Sequence, residues 1–229
     1  MRDNPVFASG TGSADQALAT NKVLRNTYMM LAMTMLVSAV TASLAMWMNL
    51  GHGAGMLMMI GAIVLIWFVL PRTANTDKGI YVVFAFTALM GAALGPTLNH
   101  YLSLSNGGSI VMQALGGTAL VFFTLSGYVL TTRKDFSFMG GFLMTGLVVL
   151  VLVAFALMLG SFFGFHVPAA QLALSAGIVL LMSGFILFDT SRIIHGGETN
   201  YLMATVALYL DIYNLFTSLL HILGVMNDD

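Results

Sequence analysis

Seven stretches of this chain are each about as long as a bilayer is thick and almost free of charge. They run Asn26–Met48, Ala54–Pro71, Gly79–Leu98, Ser109–Thr131, Phe138–Phe162, Pro168–Thr190 and Tyr201–Gly224. A hydrocarbon core of about 30 Å is crossed by a helix of about 20 apolar residues. Barrel strands would be about 10 residues long and would alternate strictly, whereas these runs are apolar at consecutive positions. The breaks between them carry turn chemistry: Asn49–Leu50–Gly51, Pro71–Arg72, Asn106–Gly107–Gly108 and His195–Gly196–Gly197. The expected fold is an all-α polytopic membrane protein with seven transmembrane helices. Composition removes the alternatives, since 59% of the 229 residues are hydrophobic and only 7% are charged. A soluble domain carries about 25% charged residues, so a soluble enzyme, a nucleic-acid binder and a disordered chain are all excluded.

Orientation follows from the basic residues. Arg2, Lys22 and Arg25 precede the first run, Arg72 and Lys78 lie between the second and third, Arg133 and Lys134 between the fourth and fifth, and Arg192 after the sixth. The alternate loops and the C-terminal tail have none. The expectation is therefore an inner-membrane protein with a cytoplasmic N-terminus and a C-terminus outside. Residues 1–25 read as a flexible cytoplasmic tail, 26–224 as the membrane domain and 225–229 as a short outside tail. The first apolar run is a full span with no small-residue cleavage site, which argues against a signal peptide. Trp47, Trp67, Tyr28, Tyr81, Tyr101, Tyr128 and Tyr201 fall near span ends, where interfacial aromatics belong.

Among the charged residues only Asp189 and Asp211 fall inside spans. An ionisable residue at membrane depth is expensive and usually faces the bundle interior on an ion or proton path. Asn214, Ser218 and His221 follow Asp211 at steps of three, four and three, which puts all four on one helix face. Such a stripe also serves simply to hydrogen-bond neighbouring helices, and His221 reads as an interfacial histidine. Asp189 has Arg192 three residues on, the spacing of a helical ion pair. The sharper reading pairs Asp189 with Asp211, because two carboxylates in one site do not both ionise easily. Deprotonated, the pair could take a hard cation such as calcium. Spacing alone leaves the pairing open, since a tight hairpin puts Asp211 about 9 Å deeper than Asp189.

Other features read as packing. Gly91 to Gly95 followed by Pro96 is a close-packing seam with a kink, and Gly116–Gly117–Thr118 reads the same way. Thr27, Thr34, Ser38 and Thr41 form a weakly polar stripe that would hold helices together, and the 18 methionines are apolar filler. No internal repeat suggests a transporter. Every lysine lies outside the spans, so no buried Schiff base can form, and H-E-x-x-H, G-x-S-x-G and Walker patterns are missing. With no cysteine, thiolate chemistry is absent too. Neither an enzyme nor a resident cofactor is expected.

Phe188–Asp189–Thr190, then Ile193, Ile194 and His195–Gly196–Gly197, together with Leu208 to Phe216, resemble the sixth and last helices of the transmembrane Bax inhibitor motif family. Lys22 to Tyr28, Gly95 to Asn99, Leu115 to Phe123, Val129 to Asp135 and His195 to Tyr201 look most like its bacterial branch of YccA-type FtsH protease modulators. The resemblance spans nearly the whole chain. It implies a last helix central among the other six. It also implies that Asp189 and Asp211 are the family's hydrogen-bonded aspartates, governing a pH-sensitive calcium leak. In a latch version of that leak Arg72 or Arg192 would pair with a released Asp189, and Asn214 and Ser218 would line the path. Its implied partner is the FtsH protease, handled through the N-terminal tail, and protease modulation and calcium leak both stay open.

Overall fold

The computed structural model describes residues 11–227, and among them only helix, turn and loop occur. Seven helices are long and apolar enough to cross a membrane. We label them α1 (Thr11–Trp47), α2 (His52–Thr73), α3 (Lys78–Leu102), α4 (Gly107–Thr132), α5 (Ser137–Phe162), α6 (Pro168–Ile194) and α7 (Tyr201–Met226). The seven apolar runs of the sequence are these seven helices.

Local chemistry sets the ends. Pro71 has no N–H and its ring crowds the carbonyl four residues back. Correspondingly, α2 widens into a π turn over Leu65–Val69 just before it. The α4 helix stops where Arg133 takes a left-handed φ of 51°. Pro168 opens α6 at the one place in a helix where a missing N–H costs nothing. Asn200 caps α7, its side chain accepting from the N–H groups of Leu202 and Met203.

Residues 11–25, expected as flexible tail, are instead the first turns of α1. Beyond Thr11–Gly12–Ser13 the stretch holds three alanines and two leucines and has no Gly or Pro to break it. A helix already nucleated in the span therefore propagates backwards through it. Residues 1–10 and the last two residues of the expected outside tail, 228–229, lie outside the described residues.

The last helix is the hub. It packs against α6, α4, α1 and α3, while α2 rests on α3 and α5 rests on α6. The six thus surround α7 in two tiers, four directly and two outside them. Burial follows the tiers: 44% of the apolar window of α7 and 50% of that of α3 are buried, against 6% for α5.

The tightest seam joins α1 to α3. A Cβ on Gly91 would run into the Ser38 carbonyl, and one on Gly95 into the Ala45 methyl. Pro96, buried inside α3, faces the other way, toward Gly55 of α2. The pair in α4 behaves differently from the expected second seam. Gly116 faces open space, and only Gly117 approaches a neighbour, Leu219 at 3.4 Å from where its Cβ would be. That approach reflects the looser fit of α4 on the side of the long Leu219 chain.

Candidate functional site

Both intramembrane aspartates are buried, Asp189 at 8% exposure and Asp211 at 5%. Asp189 lies in the last two turns of α6 and Asp211 nearly three turns into α7, so Asp211 is the deeper by more than a turn. The hub packing of α7 on α6 brings them within electrostatic reach of each other. No hydrogen bond joins the two carboxyl groups among the described residues. Asp189 instead faces Arg192, whose guanidinium lies 3.6 Å from it and 3.4 Å from Glu198. One guanidinium therefore bridges an intramembrane carboxylate and a loop carboxylate. Asp211 Oδ2 is buried with no hydrogen-bond partner, and an orphaned polar atom at membrane depth is costly enough to ask for a role.

The remaining expected residues are spread along the molecule. Asn214 donates to the Leu210 carbonyl of its own helix at 2.8 Å, and Ser218 is buried on the same stripe. His221 meets Ser175 of α6, Nδ1 to Oγ 2.8 Å, so this histidine ties two helices together rather than idling at an interface. Arg72 turns back on α2 and donates to the Phe68 carbonyl at 2.6 Å; no ion pair links it to Asp189 among the described residues. Of the two latch candidates only Arg192 is at the carboxylate.

Two polar links close to the aspartates carry no sequence signal beyond their hydroxyls. Ser38 of α1 donates to the Thr87 carbonyl of α3 at 2.7 Å and bonds the Tyr209 hydroxyl of α7 at 2.6 Å, so one serine laces three helices. Tyr28 of α1 bonds Ser126 of α4, which Thr190, next to Asp189, reaches at 3.4 Å. The partners are 171 and 98 residues apart, beyond the reach of any local spacing rule.

The end of the bundle carrying the basic loops is braced in two places. Ser191 is fully buried, accepts from the Phe136 N–H at 2.9 Å, and lies 3.4 Å from Asp135 and 3.3 Å from His195. Asn200 Nδ2 donates to the Ala74 carbonyl at 2.9 Å and to Asn75 Oδ1 at 2.8 Å. The last turn of α6, two residues from Asp189, is thus tied to the loop before α5, and the α6–α7 loop to the loop before α3. Among the described residues no group of three or more His, Asp or Glu could hold a metal.

Comparison with known proteins agrees with this architecture. Residues 20–228 match the family model described as Inhibitor of apoptosis-promoting Bax1. The chain is 51% identical over 223 residues to the Modulator of FtsH protease YccA of Escherichia coli K12, covering 97% of this chain and 99% of the relative. It is 47% identical over 227 residues to a membrane protein of Vibrio cholerae, covering 99% of each. The Inner membrane protein YccA of another Escherichia coli strain is 51% identical over the same share.

Proposed function

The chain belongs to the Bax inhibitor family, and from that premise we propose that it is a regulatory protein of the bacterial inner membrane that binds and modulates an FtsH-type protease. The observation that carries this reading is the 51% identity to a protein named as a modulator of FtsH, running over 97% of the chain with the first helix included. Geometry supplies a handle. The 37 residues of α1 amount to about 55 Å at 1.5 Å per residue, well beyond a core of about 30 Å. The surplus projects as helix at the basic end, which the positive-inside rule assigns to the cytoplasm. Deleting residues 2–20 leaves every span intact and should abolish the effect on turnover of an FtsH substrate. Unchanged turnover overturns the handle, and a full-length chain that does not co-purify with FtsH from solubilised membranes overturns the binding itself.

The orphaned Asp211 oxygen beside Asp189 favours a second activity, a proton-governed calcium leak. Calcium and protons would be cargo and trigger, with Arg192 holding Asp189 until Asp211 changes charge. Calcium flux into liposomes should then follow pH for the wild type, and Asp211→Asn should flatten the profile. A mutant that keeps the wild-type profile removes the pair from the mechanism.

A further inference from the structure

The α1 and α4 helices both pack on α7 yet do not pack on each other along the bundle. Between them opens an apolar groove of about 380 Å³, walled by Leu31 of α1 and Phe122 of α4 and floored by Tyr213 and Phe216 of α7. Phe123 on its rim is 70% exposed. The volume falls in the range of specific small-molecule sites, and the long side faces the lipid rather than water. At the basic end the groove is closed by the Tyr28–Ser126 hydrogen bond. Just beyond that bond stand two cations. Arg25 precedes Tyr28 by about one turn of α1, and Arg133 is the residue that ends α4, about two turns beyond Ser126, so both cations stand at the basic end of the two helices that wall the groove. Both are exposed, and the ion pairs of the described residues belong to Arg192 alone.

An apolar groove with two guanidiniums at its basic end, neither in an ion pair among the described residues, has the chemistry of one ligand. We propose that the groove between α1 and α4 binds an anionic phospholipid, with an acyl chain along Leu31, Phe122 and Phe216 and the phosphate on Arg25 and Arg133. Charge complementarity selects this occupant over a neutral lipid, because a basic residue at an anionic headgroup is worth roughly fivefold in affinity. A guanidinium also grips phosphate through paired donors. The lipid would lie against the stretch of α7 that carries Asp211.

Native mass spectrometry of the full chain in neutral detergent tests this with phosphatidylglycerol and phosphatidylcholine of matched chains. The wild type should retain phosphatidylglycerol preferentially, by roughly fivefold per cation. Arg25→Gln with Arg133→Gln, both at exposed positions, should bring the two lipids level. Ala119→Trp, which fills the groove, should lower retention of both. Equal retention by the wild type, or a preference that survives loss of both arginines, overturns the proposal. A photoreactive residue in place of Phe123 should label lipid in whole membranes; labelling of another protein's helix there instead assigns the groove to a partner and overturns the lipid.

Discussion

Ser191 shows how much of this molecule rests on single hydroxyls. It is fully buried, and its oxygen is the acceptor for the Phe136 N–H that begins the turn into α5. Ser191→Ala keeps the packing but strands that N–H, a cost of about 1–2 kcal/mol. The expected outcome is a lower melting temperature in detergent with the helical content unchanged. Next to it, Asp135 is held below the ordinary carboxylate range, first by the Ser137 hydroxyl and then by the Ser137 N–H, which donates at 2.8 Å. The His195 charge and the Ser191 hydroxyl add smaller contributions. A depressed folded value means the stabilisation is complete above about pH 4 and is lost as pH falls through the lower folded value. Ser137→Ala should move the Asp135 midpoint up toward the ordinary value, as followed by NMR titration of its carboxyl carbon. An unmoved midpoint would assign the shift to His195. The Asp135–Ser137 contact is local, but the Ser191 contacts were not legible in sequence, because Ser191 and Asp135 are 56 residues apart and a serine in an apolar run looks alike whether it braces a loop or bonds its own helix. Asp189 and Asp211 were legible, since a charge inside a span announces itself. Their shared surroundings needed the α6–α7 packing.

Helices separate into two kinds by what glycine does on them. On α3, Gly91 and Gly95 let α1 approach until backbone meets backbone, which is how the Ser38 hydroxyl reaches both Thr87 and Tyr209. On α4, Gly116 meets nothing within 4 Å. Gly91→Ala should therefore push α1 off α3 and destabilise by about 1–3 kcal/mol. Gly116→Ala should be neutral or stabilise by up to about 1 kcal/mol through helix propensity. Thermal unfolding of both variants in the same detergent checks the contrast; equal losses would mean that backbone contact is not what holds α1 to α3. Small residues at both places suggest close packing without saying whether a neighbour comes near, whereas the spans themselves were readable because charge-free length is a bilayer requirement. The tiering was not readable. Both α2 and α5 are apolar all round, so no stripe says which neighbour they choose, and only the folded bundle puts α2 on α3 and α5 on α6.

At the scale of the molecule, the eight basic residues constrain function more than their number suggests. Those among the described residues, Lys22, Arg25, Arg72, Lys78, Arg133, Lys134 and Arg192, lie in or beside the loops of one end or in the N-terminal part of α1, at the end where Asn200 ties the α6–α7 loop to the loop before α3 and Ser191 ties α6 to the loop before α5. Arg192, the ligand of Asp189, is one of them, so the charge that sets orientation also meets the buried carboxylate. If that end is cytoplasmic, Asp189 lies toward the cytoplasmic face, the projecting start of α1 is on the cytoplasmic side, and the His221–Ser175 link lies toward the opposite face. A single topology underlies all three consequences, and seven crossings put the two termini on opposite sides. Alkaline phosphatase fused after Asn227 should accordingly be active, and a fluorescent protein fused there should stay dark. The same reporters joined within the loop at Asn75, between α2 and α3, should give the reverse result. Active phosphatase at Asn75 would invert the molecule and place the α1 extension out of reach of an ATP-dependent protease. Moving Arg72 and Lys78 to the loop at Asn49–Gly51 should weaken the bias, since basic residues in short loops set orientation roughly in proportion to their number. A topology unmoved by that transfer would assign orientation to Lys22 and Arg25 ahead of the first span.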